Sequence, residues 1–245
     1  MNFSGRRTDD PPAGVFRHDT GIIQMKKPVQ CDVFKFGGTS VGSADAVERA
    51  ISIVRQTSVP VVVVVSAAAG ITDLLHAAVR SAAAGDDRES ERAVTSFYEK
   101  YESLIQSLVK DGQFRQAAVA ALQSCSAELR AICSSLMVLR ELTQRSIDVA
   151  VARGERMSAL IFSHALRERD VRAGLVDAAD ILFVNRRFSA LVPQAEKCLA
   201  AMDEKLIPAL ENERIVVVPG YIASGADGEL LTLGRGGSDY SATLL

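Results

Sequence analysis

Apolar residues run without polar alternation from Val61 to Val65 (VVVVV) and again in RIVVVP, Arg214 to Pro219. A strand that is apolar at every position is buried on both faces, as in a parallel sheet with helices on either side. Val33 to Phe36 is a shorter run of the same kind, and Gly37 and Gly38 end it in a turn. Between that run and the valines the period changes to that of a helix, with Ser43 placed to cap it and Val47, Ala50, Ile51 and Val54 on one face. Strand, helix and strand together read as a crossover unit of an α/β fold.

Beyond the valines, Ser66 to Gly70 is a loop, and Ile71-Thr72-Asp73 leads into another helix. Between Glu89 and Leu142 alanine, leucine, glutamate and arginine dominate, broken only around Asp111-Gly112, which predicts a hairpin of two long helices. Leu136, Met137, Leu139 and Leu142 are expected to be buried there, and the charges to form a solvated face. A further helix is predicted over about Ile147 to Glu168, interrupted near Gly154, then a strand around Gly174 to Val176 and a helix over about Ala195 to Leu210. The Arg214 to Pro219 strand continues through Gly220-Tyr221-Ile222 to a turn at Ala226-Asp227-Gly228, with Leu230 to Leu233 as its hairpin partner. Ser238-Asp239 then opens a last helix.

Composition narrows the class of function. The 245 residues are 48% hydrophobic and 24% charged, enough to bury a sizeable core. The formal net charge of -2 comes from interspersed acids and bases, without the basic footprint that a nucleic-acid partner requires. Cys31, Cys125, Cys133 and Cys198 lack metal-type spacing and read as reduced thiols, which points to the cytoplasm. No apolar stretch approaches the roughly 20 residues that span a bilayer, so no membrane partner is expected. Met1 to Gln30, with its GRRTDDPPAG run, shows no hydrophobic period and no signal core. It reads as a disordered leader, and Met25 is an alternative start.

In an open parallel sheet ligands bind at the carboxyl ends of the strands. Lys35 with Gly37-Gly38, Ser66, Tyr221, and Arg235 with Ser238-Asp239 fall there. Lys35 is a cation in an otherwise apolar strand; it either meets an anion or snorkels to solvent. The glycine pair after Arg235 allows close backbone approach, and a helix N-terminus favours an anion, so GRGGSD looks like half of a phosphate site. KFGGTS and GRGGSD both depart from the P-loop and dinucleotide patterns. Glu155, beside Gly154, is either an acceptor for an ammonium group or a surface glutamate. His18, His76 and His164 form no cluster, which leaves a Ser-His-Asp triad without support.

VFKFGGTSVG, VSAAAGITDLL, ARGERMSALIF and TLGRGGSDYSA, in this order, resemble aspartate kinase of the amino acid kinase family, from about Val33 to Leu245. The resemblance implies an αβα sandwich of the amino acid kinase type, mainly parallel, with a helical insertion. It also implies transfer of the γ-phosphoryl group of MgATP to the β-carboxylate of L-aspartate, giving 4-phospho-L-aspartate, the first step of the lysine, threonine and methionine branch. Lys35 would neutralise the transferring group, and Asp239, also catalytic, would close the pocket near the reacting carboxylate. Gly37, Gly38, Thr39, Ser40, Gly236 and Gly237 would line the phosphates. Arg235 would hold the α-carboxylate and Glu155 the α-ammonium group, with Ser66, Thr72, Tyr221 and Ser238 around the aspartate. No metal ligand set is assigned, Mg²⁺ being carried by ATP.

Position 221 is tyrosine where the family usually has phenylalanine, which adds a hydroxyl to the pocket. By the same resemblance, most ATP contacts and the regulatory domains are expected beyond Leu245, so the nucleotide lobe would be truncated and a sheet edge left unpaired. The readings are then a portion of an aspartate kinase, homo-oligomeric or bifunctional at full length, an inactive aspartate-binding module, or a kinase for another acidic amino acid. The first carries the expectation that this chain alone has trace kinase activity and poor solubility.

Overall fold

The computed structural model describes residues 17–18, 21–22, 30–110, 112–187 and 190–245. Two units separate at Gln30. In the first, β1 (Arg17–His18) pairs antiparallel with β2 (Gly21–Ile22). The rest of the expected leader up to residue 29, and Asp111 at the expected hairpin break, lie outside the described residues.

The second unit is built on a parallel sheet ordered β3 (Asp32–Phe36), β4 (Val61–Val65), β8 (Ile215–Pro219) and β5 (Ala173–Leu175). Lys35 is opposite Val64, and Val64 opposite Val218. All five valines of β4 have no exposed surface. Val61, Val63 and Val65 enter one core with Ile215 and Val217, while Val62 and Val64 enter a second with Val216 and Val218. Burying a valine side chain contributes about 1.5 to 3 kcal/mol, so a run of five fixes β4 at the centre and explains its lack of polar alternation.

The first core is covered by α1 (Ala44–Arg55), α2 (Ile71–Ala84), α3 (Asp87–Leu108), α4 (Gly112–Leu139) and α5 (Gln144–Arg167). Ser43 caps α1 by accepting from the Ala46 N–H at 3.3 Å, and Val47, Ala50, Ile51 and Val54 are buried. The predicted helical hairpin is α3 with α4. Leu136 is buried, and Met137 and Leu142 touch the core, but Leu139 is 68% exposed.

Helix α5 is unbroken through Gly154, against the predicted interruption. The glycine serves close approach: a Cβ there would stand 2.7 Å from Ile71 Cγ2 and 3.1 Å from Ala67 Cβ. Its backbone keeps helical hydrogen bonding, and its cost to helix stability, about 1 kcal/mol against alanine, is offset by docking α5 directly on α2.

On the second core lie α6 (Ala195–Ala201), a π turn (Met202–Leu206) and α7 (Ile207–Asn212). Pro208 supplies no N–H, and the π turn sits where that missing donor would have continued the α register. The hairpin β6 (Val184–Arg187) with β7 (Ala190–Pro193) was not expected. Its β7 residues are only half-buried or exposed, so it leaves a weak hydrophobic signal. β9 (Ile222–Ser224) and β10 (Leu230–Thr232) form the expected hairpin, and α8 (Gly237–Leu244) follows. Among the described residues no helix is long and apolar enough to cross a membrane.

Candidate active site

At the carboxyl ends of β3 and β4 a cavity of about 480 Å³ opens. Its wall comes from five places in the chain: Lys35 in β3 with Gly38 just after it, the Ser66 to Gly70 loop with Thr72 and Asp73 on α2, Glu155 on α5, Tyr221 after β8, and Gly234 to Asp239 at the start of α8. A larger cavity of about 610 Å³ lies between α4, α5 and β5. Its arginines are already engaged, Arg153 with Glu128 at 2.9 Å and Arg156 with Asp177 at 2.6 Å, so it offers less to a charged ligand.

Lys35 does not snorkel to bulk water alone: its Nζ meets Asp239 Oδ1 at 2.8 Å. Glu155 is buried, not a surface glutamate, and its Oε2 accepts from the Ala67 N–H at 2.7 Å. Burial pushes its carboxyl up to about 8, against the smaller opposing effects of that hydrogen bond and of the Lys35 charge. A buried carboxylate so disfavoured as an anion is an acceptor waiting for a cation. Arg235 is exposed and, among the described residues, makes no ion pair.

Helix α8 begins differently from the sequence expectation. Its N-cap is Gly236 at φ 74°, so Ser238 and Asp239 lie inside the first turn and no side chain caps it. The first-turn N–H groups thus lack a side-chain acceptor, which leaves the positive end of the helix open to an anion. Gly237 has to be glycine, because a Cβ there would stand 2.5 Å from the Tyr221 ring. Tyr221 itself holds φ at 70°, a left-handed conformation costly for a bulky residue. It is kept there by its N–H donating to Ser241 Oγ at 3.0 Å and its carbonyl accepting from the Leu233 N–H at 2.8 Å.

Of the sequence-predicted residues, Lys35, Gly38, Ser66, Thr72, Glu155, Tyr221, Arg235, Gly236, Gly237, Ser238 and Asp239 share this one wall. Gly37, Thr39 and Ser40 do not line it. Gly37 still runs beside the Lys35 amine, 3.5 Å from where its Cβ would be, and the Ser40 N–H is taken by the Gly37 carbonyl at 2.8 Å. The sequence reading missed Asp73, although it lies in the GITDLL motif one residue after Thr72. It also missed the support behind the loop. Ser158 Oγ accepts from the Ala68 N–H at 3.0 Å and bonds Tyr101 Oη at 2.9 Å, while Tyr101 donates to the Gly154 carbonyl at 2.6 Å. These buried hydroxyls fix the loop that holds Glu155. Ser158 sits in GERMS itself, but Tyr101 has no local motif that would have found it.

The sequence model of the amino acid kinase family matches residues 31–245, the whole unit that builds this cavity, and the chain belongs to that family. It is 37% identical over 219 residues to lysine-sensitive aspartokinase 3 of Escherichia coli (strain K12), covering 87% of this chain and 45% of the relative. The aspartokinase of Chlamydia muridarum is 29% identical over 225 residues, covering 91% of this chain and 46% of its own length. The crystal structure of E. coli aspartokinase III in complex with aspartate and ADP (R-state) matches with a TM-score of 0.75 at 32% identity, over 88% of this chain and 46% of that one. The chain thus spans just under half the length of these relatives.

Proposed function

We propose that the protein to which this chain belongs is an aspartate kinase, transferring the γ-phosphoryl group of ATP to the β-carboxylate of L-aspartate. The observation that carries this reading is the pairing on one wall of Glu155, a buried carboxylate held near neutrality, with the unpaired guanidinium of Arg235. A free α-amino acid is the ligand that offers one cation and one anion at a fixed separation. The likeness to aspartokinases, one solved with aspartate and ADP, supports the same reading.

Glu155 receives the α-ammonium group and is drawn to its ionised form by it. Arg235 holds the α-carboxylate through two parallel hydrogen bonds. This leaves the β-carboxylate to point at Lys35 and the open first turn of α8. Its oxygen forms the new bond to phosphorus as the bond to the ADP oxygen breaks. No proton need move, since the attacking group is already a carboxylate. Two anions must be brought together, so catalysis is positioning and charge neutralisation. Lys35 and the N–H groups of Ser238 and Asp239 supply the neutralisation. Asp239 and Asp73, the carboxylates of this wall besides Glu155, would be the residues available to a Mg²⁺ ion brought by the nucleotide, which would supply further positive charge to the phosphates.

The product is an activated acid suited to later reduction on the branch to lysine, threonine and methionine. The four free cysteines, with burial pushing the Cys125 thiol up to about 11, suit a reducing cytoplasm. The full-length protein is expected to act as a homo-oligomer. The test is trapping of the acyl phosphate with hydroxylamine: full-length protein with ATP and L-aspartate should give the hydroxamate, and a product made equally well from L-glutamate would overturn the assignment.

A further inference from the structure

At the opposite edge of the sheet, by the amino ends of β8 and β5, lies a cavity of about 570 Å³ lined by Arg55, Arg169, Arg172 and Arg214, with Asp170 as its one acidic wall residue. The four arginines come from three segments: the last turn of α1, the short turn between α5 and β5, which carries both Arg169 and Arg172, and the residue that precedes β8. The sequence therefore shows no basic run. We propose that this cavity is a second anion site, distinct from the candidate active site, for a small phosphorylated ligand carrying at least two adjacent negative groups.

Arginine at a helix C-terminus has an ordinary role, complementing the negative end of the dipole. That accounts for Arg55, at the end of α1, and for Arg169, which also pairs with Glu48. Arg214 donates to the Thr57 carbonyl. It does not account for Arg172. Among the described residues neither Arg172 nor Arg55 makes an ion pair or a side-chain hydrogen bond. Of the nearby acids, Glu168 accepts from the Lys110 N–H at 3.1 Å, and Glu48 is taken up by Arg169.

The backbone fixes where two of these side chains begin. The Arg172 carbonyl accepts from the Ile215 N–H at 3.2 Å, and the Arg214 carbonyl from the Val61 N–H at 3.0 Å. Two guanidinium stems are thereby anchored on neighbouring strands of the same parallel ladder. Like charges brought together on a rigid edge repel, and a shared anion relieves that repulsion. Planar forked donors match phosphate oxygens two at a time. A protein with a net charge of -2 has no general appetite for polyanions, which favours a compact ligand over a nucleic acid. The strands place the two sites roughly 13 Å apart or more, at about 3.3 Å per residue.

Calorimetric titration with inorganic pyrophosphate tests this on the full-length protein carrying Lys35→Ala and Arg235→Ala, which silence the other anion site. Binding at one per chain should persist there, and should weaken tenfold or more on adding Arg172→Ala or Arg55→Ala, each with an unchanged melting temperature without ligand. Arg172→Lys should weaken it several-fold, since lysine keeps the charge and loses the fork. Arg55 is exposed on a helix end, so its variant reports even where Arg172→Ala does not fold. No binding in the silenced protein, indifference to Arg55→Ala, or equal affinity for chloride at matched ionic strength would each overturn the proposal.

Discussion

Lys35 and Asp239 form a 2.8 Å ion pair that joins the carboxyl end of β3 to the first turn of α8 across the candidate active site. The lysine side chain is 27% exposed and the aspartate 68%, so the pair is solvated and worth little to the fold, about 0 to 1 kcal/mol. A weak pair is easily exchanged for another anion. Lys35 is thus placed to turn to a phosphoryl group, and neither partner is needed to hold the sheet together.

The first prediction follows from that weakness. Lys35→Met should leave the melting temperature nearly unchanged while lowering kcat by about a hundredfold or more, the scale of losing one positive charge aimed at the transition state. Asp239→Asn should do the same by losing a carboxylate available to Mg²⁺. The change in KM for aspartate should be much smaller for Lys35→Met. Steady-state kinetics beside thermal melts decide it; a kcat within threefold of the parent would remove Lys35 from its role.

Substrate recognition divides between the two ends of the amino acid. Arg235→Lys should weaken aspartate binding about tenfold or more, because the charge survives but the bidentate geometry does not. Glu155→Gln should weaken aspartate strongly and succinate, which lacks the amino group, hardly at all. Equal losses for the two ligands with Glu155→Gln would show that Glu155 does not read the ammonium group.

The pH dependence has a definite sign. Free Glu155 titrates near 8 and an ammonium ligand lowers that value, so aspartate binding should release a proton around neutral pH. Apparent affinity should fall as the pH drops below about 8, and calorimetry in buffers of different ionisation heat measures the proton. The same shift governs stability. The folded carboxyl holds its proton from the ordinary 4.5 up to about 8, so its contribution is fully present below 4.5 and lost as pH rises through 8. Glu155→Gln should therefore melt with its parent at pH 5 and above it at pH 9.

Much of this was legible in the sequence because single segments carry it. VVVVV admits no partly exposed strand, and the glycines flanking Lys35 and Arg235 mark where backbone and ligand come close. What escaped depends on contacts between distant segments. Gly154 looks like a helix breaker until Ile71 is seen against it, and the burial of Glu155 comes from the Ala67 loop far away in sequence. Tyr101 escaped because it lies in the alanine-rich hairpin, where its hydroxyl leaves no pattern. The arginines at the lower sheet edge are spread over segments that only the parallel register gathers.

The contact at Gly154 gives the last prediction. Gly154→Ala would gain about 1 kcal/mol of helix propensity in α5. The new methyl would stand 2.7 Å from Ile71 Cγ2 and 3.1 Å from Leu75 Cδ1, both in fully buried side chains with no room to rotate away. Overpacking of this kind costs about 1 to 3 kcal/mol, so the variant should melt at or below its parent despite the better helix. Relief comes from moving α2 away from α5. Ile71 is the first residue of α2, next to Thr72, and Ala67 at 3.1 Å carries the N–H that holds Glu155. Aspartate affinity should then fall several-fold, more than a small loss of stability explains, with Glu155 still in place chemically. Melting and aspartate titration of the full-length variant measure both. A higher melting temperature with intact affinity would mean that the close contact at Gly154 does not set the loop, and that the hydrogen bonds of Ser158 and Tyr101 hold it without that contact.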